Sequence, residues 1–344
     1  MAIKKVLVTG SEGYIGSVLI DKLLEEEYDV VGLDTLFFQD TKVSPQAQYR
    51  LLRKDVRKVT LSDLQGIDAV IHLAALSNDA LGELESKLTR SINFKATKRL
   101  ASLSKKAGVK RFIFSSSCSI YGIADQDTVT EESIPHPLTE YARSKIASEK
   151  SLKELADRSF CVISLRNSTV YGFSPAFRND LVVNNFTTCA YSMGEIRIES
   201  DGSPWRPLID VRDLSSIFIH FLKIDSRKVN KQIINIGYPE NNFQVNELVK
   251  IVHQKLPDTK ISYTGTQPDS RSYKVNFQRF QKIMPHIKQE WDIEKSVADL
   301  VSGLKKTNFS SDDFLSKRYA RLTALKKHLK TKSLTKHLYW KRIF

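Results

Sequence analysis

The chain has 344 residues, 41% hydrophobic and 27% charged, a composition that supports a large buried core and excludes general disorder. Its net charge of +14 raises nucleic-acid binding, but a net of about +10 lies in residues 305–344, so the basicity marks a tail rather than a binding face. No stretch nears the roughly 18 uninterrupted apolar residues of a membrane span, and the apolar run of "MAIKKVLVTG" is too short for a signal-peptide core; Cys118, Cys161 and Cys189 form no CxxC pattern, so free thiols, no metal site and a cytoplasmic location are expected.

In chain order, "KVLVTG", "DVVGLD", "DAVIHLAA", "RFIFSSS" and "CVISLR" are short runs rich in Val, Ile and Phe, which read as strands buried on both faces. Between them, residues 14–26, 87–107 and 139–156 carry apolar side chains at helical spacing. Strict alternation of strand and helix implies an α/β fold with a doubly wound parallel sheet. After residue 173 the rhythm breaks. A helix is predicted over 181–191, a strand at "EIRIES", a further strand at "QIINIG" and a helix over 245–254. In the tail, Ser310 offers an N-cap, and Leu315, Tyr319, Leu322, Leu325 and Leu329 recur at spacings of three and four, predicting one amphipathic helix. Its apolar face is expected to pack on the main domain or a second copy, with Lys and Arg toward water; membrane contact is the less favoured reading.

"VLVTGSEGYIGS" sets Gly10, Gly13 and Gly16 at the junction of the first strand and first helix, where glycine lets the backbone approach a pyrophosphate at the helix N-terminus. Such a trio also fits a tight turn without ligand, but here Asp34 ends the second strand. A carboxylate there accepts from the adenine ribose hydroxyls and repels a 2′-phosphate, which favours NAD over NADP. Asp55, after a third strand, either contacts the adenine amine or ends the strand. Farther on, "YARSK" spaces Tyr141 and Lys145 four apart, on one helical face. A phenol needs its pKa lowered by about 4 kcal/mol to act as a base at neutral pH, and an adjacent ammonium favours that.

The motifs "GSEGYIG", "HLAA", "SSSCSIYG" and "YARSK", in this order, resemble the extended short-chain dehydrogenase/reductases, and within them the NAD-dependent nucleotide-sugar epimerases and dehydratases. The resemblance spans about residues 3–300. It implies a Rossmann domain over 1–172 with a returning segment at about 205–240, a smaller C-terminal α+β substrate-binding region over 173–204 and 241–304, and the basic helical tail over 305–344. It further implies Ser117, Tyr141 and Lys145 as the catalytic set. Cofactor contacts are implied at Gly10, Gly13, Tyr14, Ile15, Gly16, Asp34, Asp55, Val56, Leu73, Ala74 and Ala75, besides Tyr141 and Lys145. A nucleotide-diphosphate sugar would be held by Asn184 or Asn185, by Arg206 in "SPWRPLIDVRD" and by Arg271 in "QPDSRSY". Tyr121 matches a structural tyrosine. The helices at 87–107 and 139–156 match the pair through which many relatives form two-fold dimers, so a homodimer is expected. Dehydratases and decarboxylases of the family place a carboxylic acid just after the catalytic hydroxyl, whereas this chain has Cys118 and Ser119. The implied reaction is therefore C4 epimerisation through a 4-keto intermediate. The alternative is a ketosugar reductase or oxidoreductase using the same residues.

Overall fold

The computed structural model describes residues 3–77, 85–266 and 272–341. Among the described residues fourteen strands run in chain order: β1 (Lys5–Thr9), β2 (Asp29–Asp34), β3 (Arg50–Arg53), β4 (Ala69–His72), β5 (Arg111–Ser117), β6 (Ile123–Val129), β7 (Cys161–Asn167), β8 (Thr169–Tyr171), β9 (Glu195–Ile198), β10 (Trp205–Asp210), β11 (Gln232–Ile236), β12 (Asn242–Gln244), β13 (Lys260–Tyr263) and β14 (Ser272–Val275). Seven form one parallel sheet in the order β11-β7-β5-β4-β1-β2-β3. The order reverses between β1 and β4, and this switch point opens a crevice at the carboxyl ends of the strands.

Alternating side chains feed two cores. Val6 and Val8 of β1 join Ile71, Ile113 and Ile163 on one face, covered by Leu19 and Leu23 of α1 (Tyr14–Glu25). Leu7 points the other way, toward Val70 and Phe112, under Leu100 of α2 (Ala96–Lys106) and Leu152 of α3 (Glu140–Leu155). Because both faces are covered, these strands read as continuous apolar runs rather than alternating ones. Thr139 caps α3, its hydroxyl accepting from Ala142 N. The lead-in to α2 is π-helical over Arg90–Lys95, a local irregularity that periodicity does not foretell.

A second assembly gathers α4 (Val182–Met193), α6 (Val245–Lys255) and α7 (Ile293–Lys306) around Phe177, Phe186, Leu248 and Leu300, beside the small sheet β12-β10-β8. Between them α5 (Val211–Lys223) lies on the first face of the main sheet, and β11 returns to its edge. No helix among the described residues is long and apolar enough to cross a membrane, and these residues contain no cluster of three or more His, Cys, Asp or Glu able to hold a metal.

The tail departs from the single amphipathic helix expected. A short helix at Ser311–Leu315 ends in a turn, with Lys317 at φ 53°, before α8 (Arg321–Lys330) begins. Two separate apolar sites force the break. Tyr319 enters the second assembly against Phe177 and Phe309, whereas Leu322, Leu325 and Leu329 pack with Phe37 and Leu76 beside the main sheet. Leu315, expected on the apolar face, is 57% exposed. Arg321, expected in water, is buried: its guanidinium donates to Thr41 Oγ1 and to the Ala176 carbonyl at 2.7 Å.

Candidate active site

The crevice is built at the ends of β1, β2, β4 and β5. After β1, Gly10 takes φ 74°, and a Cβ there would meet the backbone of Ala74 at 2.9 Å. A Cβ on Gly16 would run into the Gly10 carbonyl and lie 2.8 Å from Ser11 Cα. Gly13 caps α1 with no side-chain hydrogen bond and no acid follows in the first turn, so the helix N-terminus keeps donors for an anion. The cradle therefore fits a dinucleotide pyrophosphate, with Gly10, Gly13, Ile15 and Gly16 at its backbone. The Tyr14 side chain turns away from it, donating from its hydroxyl to the Gly172 carbonyl at 2.6 Å.

Asp34 ends β2 beside the glycine cradle. Its carboxylate accepts from Glu12 N at 3.1 Å and Leu36 N at 2.7 Å, and burial pushes its pKa up against those bonds. A carboxylate has about four acceptor sites, so acceptor capacity for a ribose diol remains. Asp55, two residues past the end of β3, is engaged differently: it accepts from Arg57 N at 2.8 Å and is gripped by the Arg57 guanidinium, capping the turn that begins at buried Val56. Asp55 therefore caps the turn after β3, with its carboxylate oxygens facing Arg57. Leu73, Ala74 and Ala75 follow β4 along the crevice floor, where Leu73 N donates to the Thr9 carbonyl at 3.0 Å and Ala74 N to Thr9 Oγ1 at 3.3 Å.

At the other end, β5 delivers three serines with different surroundings. Ser115 lies under Lys145, whose Nζ donates to its carbonyl at 2.5 Å. Ser116 is buried, donating to Glu149 Oε1 at 2.5 Å. Ser117 is half-buried; its hydroxyl accepts from Ser119 N at 3.1 Å and donates to Ser119 Oγ at 2.9 Å. Tyr141 and Lys145 sit one turn apart on α3, with Nζ 5.5 Å from the Tyr141 ring centre and 4.7 Å from that of Phe114. Burial pulls the Lys145 pKa down to about 7, opposed by the charge of Glu149. Cys118 is enclosed, its thiol 3.2 Å from the Arg166 carbonyl, and burial pushes its pKa well up, which leaves it no nucleophile. Tyr121 donates to Asn235 Oδ1 at 2.7 Å and accepts from Arg166 at 2.9 Å.

The expected substrate residues are dispersed. Asn184 is fully buried, its amide donating to the Arg178 carbonyl at 2.8 Å and its carbonyl accepting from Gly172 N at 3.0 Å, so it holds the loop after β8 and has no amide to spare for a phosphate. Its neighbour Asn185 is half-buried and donates to the Asn179 carbonyl at 3.1 Å. Arg206 lies on β10, donating to the Trp205 carbonyl at 2.9 Å, and Arg271 lies outside the described residues.

Three further residues carry no sequence signal. Asn93, in the π-helical turn, clasps Leu76 through both its amide groups, at 2.8 and 3.1 Å, and so fixes the loop after "HLAA". Asn167, paired in register with Ser117, donates to Ser115 Oγ at 2.9 Å while its buried Oδ1 has no hydrogen-bond donor among the described residues. Arg178 is buried beside Asp180 at 2.9 Å and reaches Ser77 at 3.4 Å. Only the fold brings these to the crevice.

Comparison with known proteins matches these features. Residues 6–237 match the family described as NAD dependent epimerase/dehydratase. The UDP-glucose 4-epimerase of Lactobacillus helveticus is 28% identical over 77% of this chain and 87% of its own. The dTDP-D-glucose 4,6-dehydratase of Mus musculus is 26% identical over 86% and 88%. Among solved structures, MoeE5 in complex with UDP-glucuronic acid and NAD superposes with a TM-score of 0.77 at 27% identity, covering 88% of this chain and 99% of that one. With its glycine cradle, its Asp34 carboxylate and this match over most of its length, the chain belongs to the NAD-dependent epimerase/dehydratase family and uses NAD as its cofactor.

Proposed function

We propose that the enzyme epimerises a nucleotide-diphosphate sugar at C4 through a 4-keto intermediate, with Ser117, Tyr141 and Lys145 as its catalytic residues. The observation that supports this reading is the convergence of β5 and α3: Lys145 Nζ donates to the carbonyl of Ser115, two residues before Ser117, and lies 5.5 Å from the Tyr141 ring centre. Tyr141 takes the C4 hydroxyl proton, and Ser117 hydrogen-bonds the oxygen as it becomes a carbonyl. The glycine cradle and Asp34 would hold NAD, which would supply a reversible hydride acceptor for C4. If the keto sugar turns over in the site first, Tyr141 gives its proton back to the opposite configuration, and no net oxidation results.

The surroundings of Ser117 argue against water elimination. Ser119 offers a hydroxyl where dehydratases need a carboxylic acid, and Cys118 is buried. The carboxylate next to the serines, Glu149, is engaged by Ser116 and by Arg166 at 2.9 Å. Several relatives are UDP-sugar epimerases by name, which makes a UDP-sugar the first substrate to try.

The test incubates purified protein and NAD with UDP-, GDP-, dTDP- and CDP-sugars, following products by chromatography and absorbance at 340 nm. A C4-inverted sugar without net absorbance change is expected, and Tyr141→Phe should retain NAD while turnover falls by about 10²–10⁴. A stoichiometric absorbance change with added cofactor would instead identify an oxidoreductase.

A further inference from the structure

Residues 321–341 form a strap beside Asp34 and the loop after it, outside the family match that ends at residue 237. Its contacts converge on the loop that follows Asp34. The Trp340 indole N–H donates to the Thr35 carbonyl at 2.6 Å, and His328 Nε2 lies 3.0 Å from the Phe37 carbonyl. Leu325, Leu334 and Leu338 are buried against Phe37 and against Leu76, which follows the "HLAA" segment. The strap also meets the Asp55 turn, since Arg57 donates to the carbonyls of His337 and Leu338 at 2.9 and 3.0 Å and stacks 3.8 Å from the Tyr339 ring centre.

What this strap holds is a strained turn. Leu36 has φ 61°, a left-handed conformation that costs a leucine of order 1 kcal/mol and persists only where its surroundings impose it. In that conformation Leu36 N donates to Asp34 Oδ1 at 2.7 Å. Were the turn to relax, this donor would leave and the carboxylate would keep only its bond from Glu12 N. On its far side the same loop is tied to the glycine cradle, because Lys42 and Tyr49 both bind the Glu12 carboxylate.

We propose that Trp340 is a positioning residue for the cofactor: by fixing the Thr35 carbonyl it imposes the Leu36 turn that orients Asp34, the carboxylate for the adenosine ribose. The strap then acts as a clasp on the adenosine half of NAD, distant from the Ser117–Tyr141 chemistry. The inference rests on NAD as cofactor and not on the epimerase reading.

The test uses full-length protein stripped of NAD, with Trp340→Phe, which keeps an aromatic ring in the cluster but lacks the indole N–H and has a smaller ring against Phe37 and His328, and Trp340→Ala beside it. Calorimetry measures the Kd for NAD and for ADP-ribose, which carries the adenosine half without nicotinamide. Losing one hydrogen bond should raise both Kd values by the same factor, about five-fold for Trp340→Phe. The melting temperature of the NAD-free Phe variant should stay within a few degrees of the parent's. If Trp340→Phe binds both ligands within a factor of two of the parent, the inference is overturned. It is overturned equally if NAD weakens while ADP-ribose does not. A Trp340→Ala protein that melts earlier yet binds ADP-ribose unchanged would show that the strap only packs. None of these readouts depends on turnover.

Discussion

Replacing Lys145 with Met tests the electrostatics of the site directly, because Lys145 is only 4% exposed and burial lowers its pKa from 10.5 to about 7. At about 1.36 kcal/mol per pKa unit, charging this lysine in the folded protein costs roughly 5 kcal/mol relative to the unfolded chain. The unfolded state binds the proton below about pH 10.5 and the folded state only below about 7, so between these limits stability rises with pH. The stability present above 10.5 is lost progressively as the pH falls to 7. From pH 9 to pH 7 the loss is about 2 kcal/mol, since the folded lysine is half charged at the lower limit. His72, buried nearby, is held neutral down to about 3 and does not titrate in this window. Met has nearly the volume of Lys without the charge, so the variant should lack this slope. Urea denaturation of NAD-free wild type and Lys145→Met at pH 7, 8 and 9 isolates it, because other titrating groups cancel in the difference. The stability of the variant relative to wild type should grow by about 2 kcal/mol from pH 9 to pH 7. A difference that stays flat across that range would refute the claim that burial governs Lys145.

Arg166→Ala should destabilise the protein by about 3–5 kcal/mol in urea, because it leaves Glu149 buried without its fork-shaped partner; a loss under about 1 kcal/mol would mean that the pair is solvated. Gly16→Ala sets two effects against each other. Alanine favours a helix by about 1 kcal/mol, but its Cβ collides with the Gly10 carbonyl, and the collision should win. The purified variant should therefore carry little NAD by mass spectrometry and melt earlier than wild type. A variant that is more stable and retains NAD would remove the argument for a tight cradle.

The sequence by itself determined the strands at the core of the sheet, the glycine turn, Asp34 and the Tyr141–Lys145 spacing, because each is a local pattern. Strands covered on both faces read as apolar runs, and a phosphate cradle needs its glycines within one turn. Tertiary structure decided how the side chains are engaged. Asn184 and Asn185 are adjacent in sequence, yet burial commits the first to the backbone, which no local pattern reveals. Asp55 could have faced a ligand until Arg57, two residues on, closed around it. Asn93 depends on a π-helical turn, and Asn167 on its register opposite Ser117. The tail shows the division most clearly. Its leucines and Tyr319 repeat at helical spacing, but spacing records only that they are apolar, not that two pockets on different parts of the molecule will claim them. The chain breaks its helix to fill both pockets, since burying large side chains at about 1.5–3 kcal/mol each outweighs the hydrogen bonds of one helical turn. In doing so it carries Trp340 to Thr35, 305 residues earlier, a contact written only in the fold.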